Sequence, residues 1–279
     1  MALLKRRLGK TCEDVTILGL GGEGILRTFG HEREAYELIN RAIDLGITYF
    51  ESARAYSGSE AYYGSALRER RKDIFLASKS HARDKRGALE HLTETLTRMN
   101  ADYLDLWQVH DVREEDEIKE IFGRGGAIEA FAEAKHKGLV RFIGVTGHHD
   151  PVIIRKCIEF FDFDTVLIPV NPGENVYKSF IEHIIPVAQA KDIGIVAMKT
   201  YFRGFAERLP WVKSLEPFYR FALSHPISTA VIGCDNVHQL EENVRFAASF
   251  ERMSKEEMES LCELTAPYAR RLLYYKSSQ

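Results

Sequence analysis

Two hydrophobic periods alternate along almost the whole chain. Ala35, Leu38, Ala42 and Leu45 recur at helical spacing over 34–45, and Gly46 supplies a left-handed stop. An apolar run at 47–51 follows at once and reads as a strand. The same order then repeats. A helix over 59–70 precedes a strand at 73–79. Leu89, Leu92, Leu96 and Met99, behind a capping Asp84, precede a strand at 103–110. Ile128, Phe131 and Ala134 lead through Gly138 to a strand at 140–145. Asp150-Pro151 is an N-cap followed by proline in the first turn, and the helix it opens ends before a strand at 164–170. Helices over 175–191 and 214–224 feed strands at 193–198 and 229–232, and a final βα step runs through 237–250.

Seven or eight such units with short connections predict parallel strands joined by helical crossovers. At 279 residues they favour closure into one (β/α)8 TIM barrel domain spanning 1–279 over an open doubly wound sheet. Leu8-Gly-Lys-Thr and Val15–Leu18 predict a short N-terminal hairpin closing one barrel end.

Strand alternation sets Glu51, Lys79 and His110 on inward faces, each at the end of its strand. In a barrel they converge at the carboxyl-end mouth, where such folds carry their chemistry. Tyr56, on the loop after Glu51, can return to meet them. An inward lysine requires a counter-ion, because burying an unpaired ammonium costs several kcal/mol, and Glu51 is the evident one. A cation beside a phenol lowers its pKa from about 10 and makes it a better proton donor to a developing alkoxide. A purely structural Glu51–Lys79 pair, with Tyr56 and His110 packed around it, accounts for any one of these residues more easily than for all four at consecutive strand ends.

Composition narrows the classes. The formal charge of −3 and the absence of a sustained basic run argue against nucleic acid or an anionic membrane as partner. The four cysteines lie far apart without CxxC spacing, as in a reduced, cytoplasmic protein. No stretch approaches the roughly 18 apolar residues of a membrane span. His110, His148 and His149 with Glu51 suggest a metal site, but no HxH pair lies on the first strand and Lys79 competes as a cation, so no metal is expected.

Phe50-Glu-Ser-Ala-Arg-Ala-Tyr56-Ser-Gly-Ser-Glu60 resembles the signature of the aldo-keto reductase family. Phe75-Leu-Ala-Ser-Lys79 is similar to that family's lysine strand, and Leu106-Trp-Gln-Val-His110 to its histidine strand. Ile143-Gly-Val-Thr-Gly147 resembles its Ile-Gly-Val-Ser-Asn motif, which contacts the nicotinamide amide. Val231-Ile-Gly-Cys-Asp235 with Gln239-Leu-Glu-Glu-Asn243 resembles the stretch holding the adenosine and its phosphates. The likeness covers essentially the whole chain in order.

The resemblance implies an NAD(P)H-dependent oxidoreductase that reduces a carbonyl to an alcohol. Tyr56 is then the general acid, Lys79 its tuner, His110 the carbonyl-orienting donor and Glu51 the lysine's anchor. It also implies a cofactor site built from Gly22, Thr146, Gly147, Asn171, Met198 and Lys199, continued by Arg203, Gly233, Cys234, Gln239, Glu242 and Asn243. The glycines of Gly19–Gly24 match GxGxxG, but helical periodicity starts only near His31, too late for a Rossmann turn, so they read as a tight loop near the cofactor.

The chain departs from the family pattern in three places. Glu51 stands where Asp is usual, and a shift of about 1 Å at a catalytic group can cost on the order of 100-fold. Met198, or Tyr201 or Phe202, takes the place of the usual aromatic stacked on the nicotinamide, while Gly147 and Asn171 replace Asn and Gln. The cofactor is NADP or NAD. Asp235 would repel a 2′-phosphate and tilts toward NAD or dual use, with Lys199 or Arg245 as compensating cations.

Substrate contacts are expected from Phe29, Arg54, Trp107 and His148, with Asp111, Arg203 and Phe205 as further lining. The short tail after Phe250 predicts an open pocket for small aldehydes, ketones or quinones. A cofactor-binding sensor or subunit with weak or no catalysis is the alternative, and monomer and homo-oligomer stay equally open.

Overall fold

The computed structural model describes residues 2–276. Period-2 apolar runs can bury their backbone polar groups only by pairing. Here they do so in two sheets. Strands β1 (Lys5–Arg7) and β2 (Asp14–Thr16) form a small antiparallel ribbon. Strands β3 (Leu18–Gly24), β4 (Tyr49–Glu51), β5 (Phe75–Ser80), β6 (Leu104–Val109), β7 (Val140–Thr146), β8 (Thr165–Pro169), β9 (Gly194–Met198) and β10 (Thr229–Cys234) are parallel neighbours in that order, and β10 pairs back with β3 to close a barrel.

Helices α1 (Glu32–Asp44), α2 (Ser59–Leu67) and α3 (Lys85–Met99) follow the first three barrel strands. Two helices, α4 (Glu115–Phe122) and α5 (Ala127–His136), lie between β6 and β7. Then α6 (Pro151–Phe160), α7 (Phe180–Ala190), α8 (Glu216–Ser224) and α9 (Val237–Ala248) each follow a strand, and α10 (Lys255–Thr265) and α11 (Ala269–Leu272) come after α9. Asp84 and Asp150 cap as expected, their carboxylates accepting from the Gly87 and Val152 amides. The helix expected over 175–191 starts instead at Phe180, because the Ser179 hydroxyl caps it and residues 174–176 form a separate single turn. The helix expected over 59–70 ends at Leu67, and 68–73 tightens into a 3₁₀ turn.

The eighth barrel strand is the glycine run itself. Leu18-Gly-Leu-Gly-Gly-Glu-Gly24 is β3, not the tight loop that its composition suggests. Leu18 and Leu20 point outward under the helices. A Cβ at the inward Gly19 would approach Tyr49 Cδ1 to 2.9 Å and Val231 Cγ1 to 3.1 Å, so the side chains of the two neighbouring strands require a residue without one.

Inside the barrel, Tyr49, Phe75, Leu106, Leu167, Val196 and Val231 pack in one cluster, and Leu8 and Val15 from the N-terminal ribbon seal its lower end. Each fully buried large apolar side chain contributes roughly 1.5–3 kcal/mol. The upper end has no such plug, and there the inward positions turn polar. Among the described residues no helix is long and apolar enough to cross a membrane.

Candidate active site

Three neighbouring strands end in polar inward residues. Glu51 ends β4, Lys79 lies near the end of β5, and His110 follows β6. The Lys79 ammonium is buried and donates to Glu51 Oε1 at 2.7 Å and to the Ser52 carbonyl at 2.8 Å. Gln108, also inward on β6, donates to the other Glu51 oxygen at 3.3 Å. The extra methylene of Glu51 therefore still reaches the lysine. Lys79 Nζ lies 4.8 Å from the centre of the Tyr56 ring, over its face, and Arg27 stacks on the same ring at 4.9 Å. The Tyr56 and His110 rings meet edge to face at 5.8 Å.

Burial alone would push the Lys79 pKa down, but Glu51 and Tyr56 outweigh it and the net direction is upward, so Lys79 stays cationic. Burial pushes the Tyr56 phenol up. Lys79 opposes this, yet Glu23 and Glu51 add to it, and the net shift is above the ordinary 10.0. This corrects the expectation of a lowered phenol. Tyr56 is a fully protonated donor at neutral pH, and the lysine limits the rise without reversing it. Burial, reinforced by Lys79, holds His110 well below 6.5, so its imidazole is neutral.

Beside this group opens a cavity of about 350 Å³. Its walls include Gly22, Tyr56, Met198, Lys199, Arg203, Gly233, Gln239, Glu242 and Asn243. Lys199 follows β9 in a left-handed conformation, φ 54°, and nearby Arg203 is also left-handed, φ 57°. Its ammonium pairs with no carboxylate among the described residues, and burial together with Arg203 pushes its pKa down to about 8. A half-buried ammonium without a carboxylate partner, facing a cavity, is what an anionic ligand would repay. Asp235 and Gln239, at the start of α9, line the same cavity, although their amides are engaged by Gln239 Oε1 and Asn236 Oδ1. These residues fit the diphosphate of a dinucleotide.

Other candidates fall outside this cavity. Thr146 is buried, its hydroxyl accepting from the Asp111 amide at 2.8 Å. Gly147 packs against Ile154. Cys234 is buried with its sulfur 3.7 Å from the Asn243 amide nitrogen. Asn171 is committed internally, donating to the Lys199 carbonyl and the Tyr275 hydroxyl and accepting from the Gly173 amide. Of the aromatics weighed against Met198, Tyr201 lines the cavity and donates to Asn243 at 2.6 Å, whereas Phe202 is buried in the core.

The expected substrate contacts scatter. Trp107 is fully buried between strand and helix, stacked on Phe131 with centroids 3.7 Å apart. It does not line the mouth, because Leu106 and Gln108 take the inward positions of β6 and leave Trp107 pointing out. Trp107→Ala is therefore expected to destabilise the protein by about 3–5 kcal/mol in urea unfolding, as a core truncation does. A small loss of stability with a large rise in KM would contradict this placement. Arg54 pairs with Glu94 of α3, and Phe29 is 74% exposed. His148 lies at the mouth, its Nε2 3.0 Å from Asp111.

The tail corrects the expectation of an open pocket. Lys276 is buried, donating to Glu174 at 2.6 Å and to the Tyr177 and Lys178 carbonyls. The Tyr275 hydroxyl donates to Glu174 at 3.0 Å, and its ring lies 5.2 Å from Lys199 Nζ. Residues 275–276 thus cover one side of the mouth. Sequence reasoning missed Tyr275 and Glu174 because nothing local pairs them across 101 residues.

A closed eight-stranded barrel with a Tyr-Lys-His-Glu group beside an anion-fitting cavity defines a class, the barrel oxidoreductases that use a nicotinamide dinucleotide. Comparison with known proteins agrees. The model of the Aldo/keto reductase family matches residues 17–209. The chain is 26% identical to an uncharacterized oxidoreductase, YqkF, of Bacillus subtilis, covering 92% of this chain and 95% of that one. It is 27% identical to the L-galactose dehydrogenase of Arabidopsis thaliana, covering 94% and 93%. Among solved structures, aldo-keto reductase AKR11C1 from Bacillus halodurans in its holo form shares the fold with a TM-score of 0.79, at 24% identity over 94% of this chain and 96% of that one. An aldo-keto reductase from Klebsiella pneumoniae in complex with NADPH superposes with a TM-score of 0.73, at 19% identity over 100% and 97%.

The chain belongs to the aldo/keto reductase family. It is an NAD(P)H-dependent oxidoreductase acting on small carbonyl compounds.

Proposed function

We propose that the chain acts as one barrel domain that reduces an aldehyde, ketone or quinone, with Tyr56 as the proton donor. The observation that carries this reading is the convergence of Tyr56, Lys79, His110 and Glu51 at the ends of three neighbouring strands, beside the cavity. Reduced nicotinamide, when bound in this cavity, would supply the hydride for the carbonyl carbon. Tyr56 gives its hydroxyl proton to the carbonyl oxygen as charge develops there, and solvent returns the proton afterwards. Lys79, held by Glu51 and the Ser52 carbonyl, keeps a positive charge against the phenol and so stabilises the phenolate left behind. The neutral His110 offers a ring N–H that orients the carbonyl oxygen. Lys199, Arg203 and the start of α9 would hold the diphosphate of NADPH or NADH. Asp235 in the same wall weakens discrimination in favour of the 2′-phosphate.

The four cysteines are free thiols, which supports a reducing cytoplasmic setting. The test is oxidation of NADPH and NADH by the purified protein with a panel of small aldehydes, ketones and quinones. Cofactor binding without turnover on any of them would favour a sensor and contradict the proposal.

Lys199 also sets a pH dependence. Its folded pKa of about 8 lies below the ordinary 10.5, so it loses its charge at a pH where a free lysine still carries it. The contact with the diphosphate is present below pH 8 and is lost as pH rises through it. Fluorescence titration is expected to show the Kd for NADPH rising by up to about tenfold per pH unit above 8. Lys199→Met is expected to bind weakly at all pH values without that slope. An unchanged slope in the variant would remove Lys199 from the cofactor site.

A further inference from the structure

We propose that Asp111, His148 and His149 form a binding site for one divalent transition-metal ion of the zinc class at the rim of the barrel mouth, distinct from the cofactor cavity. Asp111 follows β6 and the two histidines follow β7, and these are paired neighbours, so the two loops leave the barrel side by side. None of the three residues lines the cofactor cavity.

The spacing is that of ligands around a shared centre. His148 Nε2 lies 3.0 Å from Asp111 Oδ1, and His149 Nε2 lies 3.6 Å from the same oxygen. Donor atoms of all three residues fall within 4.8 Å of one another. A tetrahedral ion with bonds of about 2.0–2.1 Å holds its ligand atoms roughly 3.3 Å apart, midway between the two separations.

The arrangement is not explained as a hydrogen-bonded network. Asp111 Oδ1 and His149 Nε2 are buried and have no hydrogen-bond partner, despite their closeness. The carboxylate oxygen thus faces two imidazole nitrogens without forming a hydrogen bond to either. Buried polar groups left in this condition call for a ligand.

The carboxylate is also held in place from outside. Arg113 donates to Asp111 Oδ2 from Nη2 at 2.7 Å and Nε at 2.9 Å, and the Asp111 amide donates to the Thr146 hydroxyl. These contacts fix the side chain with Oδ1 turned toward the histidines, as outer contacts orient ligands in metal sites. They also engage the Arg113 guanidinium, which would otherwise oppose a cation, so that the Lys199 ammonium is the charge that a bound ion must outweigh. Two imidazoles and one carboxylate suit zinc, cobalt or nickel, whereas calcium and magnesium prefer oxygen donors. Three protein ligands leave a coordination position for water.

The test uses the full-length protein without an affinity tag, titrated calorimetrically with Zn²⁺ and followed by visible absorption with Co²⁺. Wild type is expected to bind one ion per chain and to give the Co²⁺ bands of a low-coordinate N/O site. His149→Ala and Asp111→Asn are each expected to weaken Zn²⁺ binding by on the order of 100-fold. Thermal unfolding shows whether each is folded, and either one alone suffices. Two controls remove other zinc-binding groups: His91→Ala breaks the His81–His91 pair, whose rings lie 4.6 Å apart, and Cys12→Ser removes the exposed thiol. Both are expected to bind as wild type. No binding by wild type, wild-type affinity in a folded His149→Ala or Asp111→Asn, or loss of binding in either control would overturn the site. The titration contains no cofactor and reads no turnover, so its outcome is independent of carbonyl reduction.

Discussion

Tyr56→Phe is expected to lower kcat for carbonyl reduction by about 10²–10⁴-fold, the usual contribution of a positioned general acid. The substitution removes one oxygen and leaves the ring between Lys79, Arg27 and His110. Packing is therefore retained, and the fall should appear in kcat with little change in the Kd for the cofactor. Because Tyr56 sits above its ordinary pKa, it stays protonated across neutral pH, and reduction should lose no rate there to ionisation of the acid. Steady-state kinetics on wild type and variant from pH 6 to 9 would check both points. Undiminished turnover in the variant would take the proton-donor role from Tyr56.

Lys79→Met is expected to destabilise the protein by about 3–5 kcal/mol in urea unfolding. The methionine fills most of the space but leaves the buried Glu51 carboxylate without its cation, with only Gln108 still bonded to it. Activity should fall as well, since the phenolate then loses its buried cation and keeps only Arg27 over the ring. The double variant Lys79→Met/Glu51→Leu separates the two effects. Removing both charges together is often neutral for stability, so the double variant should regain most of the loss while remaining inactive. Recovery of activity along with stability would show that the pair is structural only.

Much of this site was legible because two periodicities coincide in it. Alternation along 75–80 and 104–109 dictates which residues look inward, and both runs reach their polar residue at the carboxyl end. The same alternation would have placed Trp107 outside, had it been applied to the residue between Leu106 and Gln108 and not to its nearness to His110. The glycine run 18–24 hid a barrel strand because only Leu18 and Leu20 carry the outward pattern and glycine gives no inward signal. The tail was illegible for another reason. Tyr275 and Lys276 are anchored by Glu174, a partner that no local pattern connects to them. The upward shift of Tyr56 was likewise hidden, since the sequence reveals a neighbouring cation but not the burial that outweighs it. Asp111 met His148 and His149 only through the β6–β7 pairing, which depends on the closed barrel.

The most direct test of the central claim is a single turnover with cofactor deuterated at the transferable C4 position and a small aldehyde. Alcohol carrying deuterium on the former carbonyl carbon, formed one for one with oxidised cofactor and lost in Tyr56→Phe, is the predicted result. Cofactor oxidation that leaves the aldehyde unreduced, or alcohol without the label, would contradict it.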